Sequence, residues 1–212
     1  MGLLDHNDMA KLGCGECNGC SACCRGMGQS ILLDPYDMFQ MQMALNMDFS
    51  SLMQEKIELC VEDGLILPVV RMQPDTDACG FLDQKERCRI HTHRPGLCRL
   101  FPLGRKYDEN GMHYFLLEDA CQIPNRTKVK IRKWLAVPML SSYEAFLTVW
   151  HDLRRDIQEQ IRERCQEAFT QKVNVSFLEI FYQKRYDETG DFYGQFEDRR
   201  NIFAAIWQQM CS

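Results

Sequence analysis

No stretch of this sequence stays apolar over the roughly 20 residues that a membrane-spanning helix needs. The opening segment, MGLLDHNDMAKLG, has neither the basic nor the apolar part of a secretory signal. Internal repeats and low-complexity tracts are also missing. Neither sign of charge dominates. The 25 Lys and Arg stand against 30 Asp and Glu, a net charge of −5, which does not point to a nucleic-acid or membrane surface. There is no P-loop, no G-x-G-x-x-G, no local Ser/His/Asp arrangement and no C-x3-C-x2-C spacing. NTPase, dinucleotide, hydrolase and radical-SAM readings therefore lack support. The expectation is a cytoplasmic protein with reduced thiols and neither nucleic acid nor membrane as partner.

Cysteine, in contrast, is abundant: the 212 residues hold 12. Five of them, Cys14, Cys17, Cys20, Cys23 and Cys24, fall within GCGECNGCSACCRG. In a secreted chain such density would mean disulfides; in a reducing compartment metal ligation is the better explanation.

The local patterns predict an α+β chain. Asp34 as N-cap and Pro35 at the first helical position start a helix running to about Asn46. SSLMQEKIELCVEDG reads as a second helix, with Leu52, Ile57, Cys60 and Val61 on one face and Gly64 as its stop. LILPVV reads as an edge strand. CGFLDQKERCRIH reads as a hairpin turning at Gln84–Glu86, and RKYDENGMHYFLLE as another with Asn110-Gly111 at its turn. HTHRPGLCRLFPLG, between them, reads as irregular. A long helix is expected from Ser141, with a Ser141–Glu144 capping box and an apolar stripe through Phe146, Trp150, Ile157, Ile161, Cys165 and Phe169. Further helices are expected at 175–186 and 196–210. A break near Pro138 divides a cysteine-cluster domain, 1–138, from a helical region, 139–212, packed on it.

Cys60, Cys165 and Cys211 lie on predicted apolar helix faces and read as small buried hydrophobes. The other nine occupy turns rich in glycine and proline, which bury little and need another source of order. Thiolates select zinc, copper(I) or iron–sulfur clusters. Three successive CxxC steps are similar to a ferredoxin ligand run, although the ferredoxin proline is missing. Neighbouring side chains diverge, so Cys23 and Cys24 are expected to serve different irons or different centres. Two four-thiolate sites need eight ligands, and one cysteine is surplus.

CNGCSACC resembles the signature of the YkgJ-type CxxCxxCC family of zinc- or iron-chelating cysteine-cluster proteins. The similarity continues through CGFLD at Cys79, CRIHTHRPGLCRLFP from Cys88 to Pro102, and Cys121. It implies that Cys17, Cys20, Cys23, Cys24, Cys79, Cys88, Cys98 and Cys121 are metal ligands, with Cys14 surplus. It further implies kinship with the N-terminal part of flagellin lysine-N-methylases, which bear the same signature and are associated with an iron–sulfur cluster. His91 departs from the aromatic residue usual before the family's Arg-Pro.

Eight thiolates carry eight negative charges, and two Zn²⁺ or two [4Fe-4S]²⁺ cores leave about four to be paired. Arg94 and Arg99 stand close to the cysteines in sequence. One reading has them donating to sulfur or to loop carbonyls; another makes them an anion site for a carboxylate or phosphate of a small molecule or a partner, or for the carboxylate of S-adenosylmethionine. His91 and His93 are further candidate ligands. The leading expectation is an iron–sulfur centre of the [4Fe-4S] kind, at one site or two, held through eight cysteines and acting in electron transfer or cluster-dependent modification. The alternatives are a zinc-binding interaction module and, from the resemblance alone, a SAM-dependent lysine methylase.

Overall fold

The computed structural model describes residues 2–13, 20–121, 123 and 125–211. Cys14 and Cys17 lie outside the described residues. The fold is α+β. Among the described residues three two-stranded antiparallel sheets pair β1 (Met9–Gly13) with β6 (Thr127–Lys130), β2 (Ile57–Glu62) with β3 (Leu65–Val70), and β4 (Leu103–Asp108) with β5 (Gly111–Leu116). The helices are α1 (Pro35–Leu45), α2 (Phe49–Glu55), α3 (Gly96–Leu100), α4 (Ile131–Leu135), α5 (Leu140–Arg164), α6 (Glu167–Leu178) and α7 (Phe192–Cys211). Beyond residue 140 the chain is mostly helical.

The start of α1 follows from its sequence. Asp34 accepts the Asp37 amide, Pro35 needs no amide partner at the first helical position, and Asn46 closes the helix in the left-handed region. The segment after Phe49 departs from expectation. The helix stops at Glu55, and residues 57–62 form β2. Asp63 and Gly64 both have positive φ (49° and 83°), and Glu62 pairs with Leu65, so Gly64 turns a hairpin and does not end a helix. Asp-Gly between two apolar runs favours that turn, and β-branched Ile57 and Val61 suit a strand. Cys60 is consequently a strand residue, half-buried against the core. LILPVV is a strand as expected, with the Pro68 carbonyl accepting the Leu33 amide at 2.9 Å.

The second predicted hairpin forms, with its two-residue loop at Glu109–Asn110 and positive φ at Gly111 alone. The first is a turn closed by a single Leu82–Cys88 bridge, with Glu86 at φ 57°. HTHRPGLCRLFPLG is more regular than expected: a 3-10 turn spans His91–His93 and α3 follows.

Two local readings of the long helix fail. Its N-cap is Met139, because Glu144 is engaged elsewhere and closes no capping box with Ser141. It ends at Arg164, with Cys165 exposed at φ 49° as the left-handed cap, so Cys165 belongs to no apolar face and Phe169 falls on α6. Helix α6 runs on into one π-helical turn, Glu179–Gln183, whose end is covered by Arg199 of α7: its guanidinium donates to the carbonyls of Ile180, Lys184 and Arg185. Cys211 is half-buried against the core, as expected.

The main core mixes residues from both parts of the chain. Leu33, Met38, Met41, Leu52 and Leu65 pack with Phe146, Trp150, Phe177, Phe181 and Phe203. Deep within it the Tyr182 hydroxyl donates to the Leu33 carbonyl at 2.9 Å. A smaller core lies under the β1–β6 ribbon, with Leu12, Leu103, Tyr114 and Ile131 at its centre. Among the described residues no helix is long and apolar enough to cross a membrane.

Candidate metal centre

The cysteine-bearing segments are short and hold one another through backbone bonds. Ser21–Cys24 makes a single 3-10 turn with Cys20 at its N-cap position. The chain then extends and runs antiparallel to Asp77–Cys79: Gly26 donates to Asp77 at 2.9 Å, and Cys79 donates to Cys24 at 2.8 Å. This sets Cys79 beside Cys24. The 83–87 turn, held by Asp83 accepting the Lys85 and Arg87 amides, presents Glu86 to the first segment. Glu86 accepts the Ser21 hydroxyl at 2.6 Å and pairs with Arg25. Cys88 follows two residues later, near enough to Cys23 for that sulfur's charge to bear on its thiol.

Cys98 comes from the other side, on α3. The loop before it is tied by Arg99, which is buried: Nε donates to the Arg94 carbonyl at 2.9 Å, and the guanidinium also bonds the Thr92 carbonyl. Arg94 donates to the His91 carbonyl at 2.8 Å and lies against the His91 ring. The donors of Arg99 are thus turned to loop carbonyls. Arg94, half-buried, favours the thiolates of Cys23 and Cys88, and Lys56 favours that of Cys79. His93 bonds Gln40 at 3.0 Å.

Five cysteines from separate stretches, Cys23, Cys24, Cys79, Cys88 and Cys98, share one electrostatic neighbourhood. Burial is the main force pushing the thiols of Cys79, Cys88 and Cys98 up, and the neighbouring sulfurs add to it. Cys23 is lowered to about 6, chiefly by the hydrogen bond with Cys24, whose own thiol is raised in return. The two sulfurs are 4.0 Å apart. The expectation that these neighbours point apart is not met, since that hydrogen bond draws the side chains together. Cys20 is exposed and Cys121 half-buried; among the described residues neither bonds another cysteine. Among the described residues no three His, Cys, Asp or Glu side chains converge closely enough to hold one ion as they stand.

In kind, the donors fit a soft metal. The ten described cysteines are free thiols, and Arg94 offsets part of the charge that thiolates would carry. The Cys23–Cys24 spacing is close to the roughly 3.8 Å between two thiolates on one tetrahedral ion with metal–sulfur bonds of about 2.3 Å.

Three features escaped the sequence reading. The β1–β6 ribbon joins segments more than a hundred residues apart. The Glu86 contact to Ser21 and Arg25 carries no local signal. The third is Asp37, whose spacing from Asp34 is that of a capping box and could have been noticed.

The CxxCxxCC family, described as "Putative zinc- or iron-chelating domain", matches residues 16–130. The chain belongs to this metal-chelating cysteine-cluster family. No curated protein and no solved structure matches the chain.

Proposed function

We propose that this protein holds a polynuclear iron–sulfur centre of the [4Fe-4S] kind through Cys17, Cys20, Cys23, Cys24, Cys79, Cys88, Cys98 and Cys121. Its use is electron transfer or cluster-dependent modification of a substrate. The observation that supports this reading most is that five free thiols, Cys23, Cys24, Cys79, Cys88 and Cys98, act on one another's charge, more than the four ligands a single tetrahedral ion takes. In this reading residues 1–138 supply the ligands and 139–212 form the helical wall behind them. Arg94 offsets thiolate charge and is the group an anionic ligand would meet.

The second reading is zinc, held as structural ions in an interaction module. It is favoured by the 4.0 Å spacing of the Cys23 and Cys24 sulfurs, which suits two thiolates on one ion better than thiolates on separate irons. Anaerobic purification followed by metal and acid-labile sulfide analysis decides between them. Brown protein with iron and sulfide in similar amounts, bleached by dithionite, carries the first. Colourless protein with two zinc ions per chain overturns it and leaves the second.

A further inference from the structure

The Arg-Pro-Gly-Leu-Cys loop presents Cys98 on a helix that cannot cap itself. Helix α3 has only five residues, and its N-cap position is Pro95, which has no side-chain acceptor. The first amide of the helix, that of Gly96, is buried and needs a partner. That partner comes from 59 residues earlier: Asp37 Oδ1 accepts the Gly96 amide at 2.7 Å. The other oxygen of the same carboxylate, Oδ2, accepts the Asp34 amide at 3.1 Å, while Asp34 accepts the Asp37 amide at 2.8 Å. One side chain therefore closes the capping box of α1 and caps α3.

The approach is close. A Cβ on residue 96 would collide with the Tyr143 hydroxyl and stand 3.6 Å from Asp37 Oδ1, so glycine is needed for the loop to seat here. Asp37 is only 2% exposed, so nothing from solvent can replace its carboxylate. Cys98 is two residues into α3, half-buried against the same core as Cys79 and Cys88, and the charges of Cys79, Asp37, Cys88 and Cys23 all bear on its thiol. A shift of the Gly96 amide moves Cys98 with it, since five residues make barely more than one helical turn.

We infer that Asp37 is a positioning residue for the metal centre, fixing the Cys98 thiolate toward the other cysteines through its bond to the Gly96 amide. This rests on the reading of Cys98 as a ligand. Groups that orient ligands from behind typically change metal affinity by about 10–100-fold when removed. The role differs from helix capping alone, and α2 supplies the comparison: Asp48 caps it by accepting the Ser51 amide at 2.8 Å, with no described bond to a cysteine-bearing loop.

The test loads the full chain anaerobically with Co²⁺, then follows the thiolate-to-metal absorption band and the rate at which EDTA removes the metal. Asp37→Ala is expected to weaken the band and release cobalt at least about tenfold faster than wild type. Asp37→Asn, which keeps one acceptor oxygen, should fall between them and still fold if Asp37→Ala does not. Asp48→Ala should lower thermal stability and leave the band and the release rate unchanged. If the Asp37 variants match Asp48→Ala, the positioning role is overturned and the metal reading stands. If wild type binds no cobalt and, purified anaerobically, carries neither iron with acid-labile sulfide nor zinc, the metal reading falls and takes this inference with it.

Discussion

The side-chain amide of Asn174 clamps the turn at Gly64. Its Nδ2 donates to the Gly64 carbonyl at 2.9 Å, and its Oδ1 accepts the Ile66 amide at 2.7 Å. Asn174 is buried, and the two bonds fasten α6 to the β2–β3 hairpin. Replacing it with alanine leaves the Ile66 amide without its acceptor, which should cost about 2–3 kcal/mol in urea unfolding. Gly64→Ala should be harmful for a different reason. Its φ is 83°, and an added Cβ would lie 2.6 Å from Ile161 Cγ2. Both variants should keep their metal content at temperatures where they remain folded.

Cys165 offers the opposite sign. It is an exposed L-residue held at φ 49°, a conformation that costs non-glycine residues about 1–2 kcal/mol. Its thiol recovers part of that by donating to the Arg162 carbonyl at 2.8 Å. Cys165→Gly should therefore stabilise by about 0.5–1 kcal/mol, after the added freedom of glycine in the unfolded chain is counted. A rise of roughly 1–4 °C in Tm by calorimetry would bear this out, and a fall would contradict it.

Glu144 joins three elements. It accepts the Tyr114 hydroxyl from β5 at 2.9 Å and lies 2.9 Å from His6 Nδ1, which ties the N-terminal segment to α5. Glu144→Ala should loosen that segment before anything else. Hydrogen exchange at Leu4 and at Met9–Leu12 should speed up at least about tenfold, the equivalent of 1.4 kcal/mol, with α6 and α7 unaffected. Equal acceleration across the chain would show that the contact serves global stability only.

The cysteines should divide by location. Cys23→Ser, Cys24→Ser or Cys98→Ser should lower metal per chain, whereas Cys60→Ala, Cys165→Ala and Cys211→Ala should not. Elemental analysis of anaerobically purified variants checks this, and metal loss shared by both groups would overturn the division.

Metal removal should act locally. The segments 20–26 and 77–98 are held by few backbone bonds and short turns, while α5 to α7 pack in the main core. Stripping the metal should expose the cysteine segments to protease and keep most of the helical circular dichroism. Unchanged protease resistance in the stripped protein would argue against a metal-ordered centre.

Much of this protein was legible where short-range chemistry decides. Asp34-Pro35 starts α1 where the capping residues place it, and Gly111 supplies the positive φ of the β4–β5 hairpin. The ordered cysteines and the Arg-Pro-x-x-Cys-Arg-x-Phe-Pro segment marked the family. Residues 56–64 misled because Ile57, Cys60 and Val61 continue the helical stripe begun by Leu52, which does lie on α2. Pairing with Leu65–Val70 settled the choice, and the Asp63-Gly64 turn was the overlooked sign.

The sequence by itself determined the metal-chelating family, the α+β class and the helical character of the later part, because spacing, caps and periodicity act within a few residues. Only the tertiary structure decided which cysteine-bearing segments lie together and what holds them there. Cys24 reaches Cys79 through a backbone bond across 55 positions. Cys98 is seated by a carboxylate 61 residues before it, and the β1–β6 ribbon closes over more than a hundred residues. Such contacts form where burial leaves an amide or a carboxylate without water, and the partner is whatever the folded chain brings within hydrogen-bonding distance.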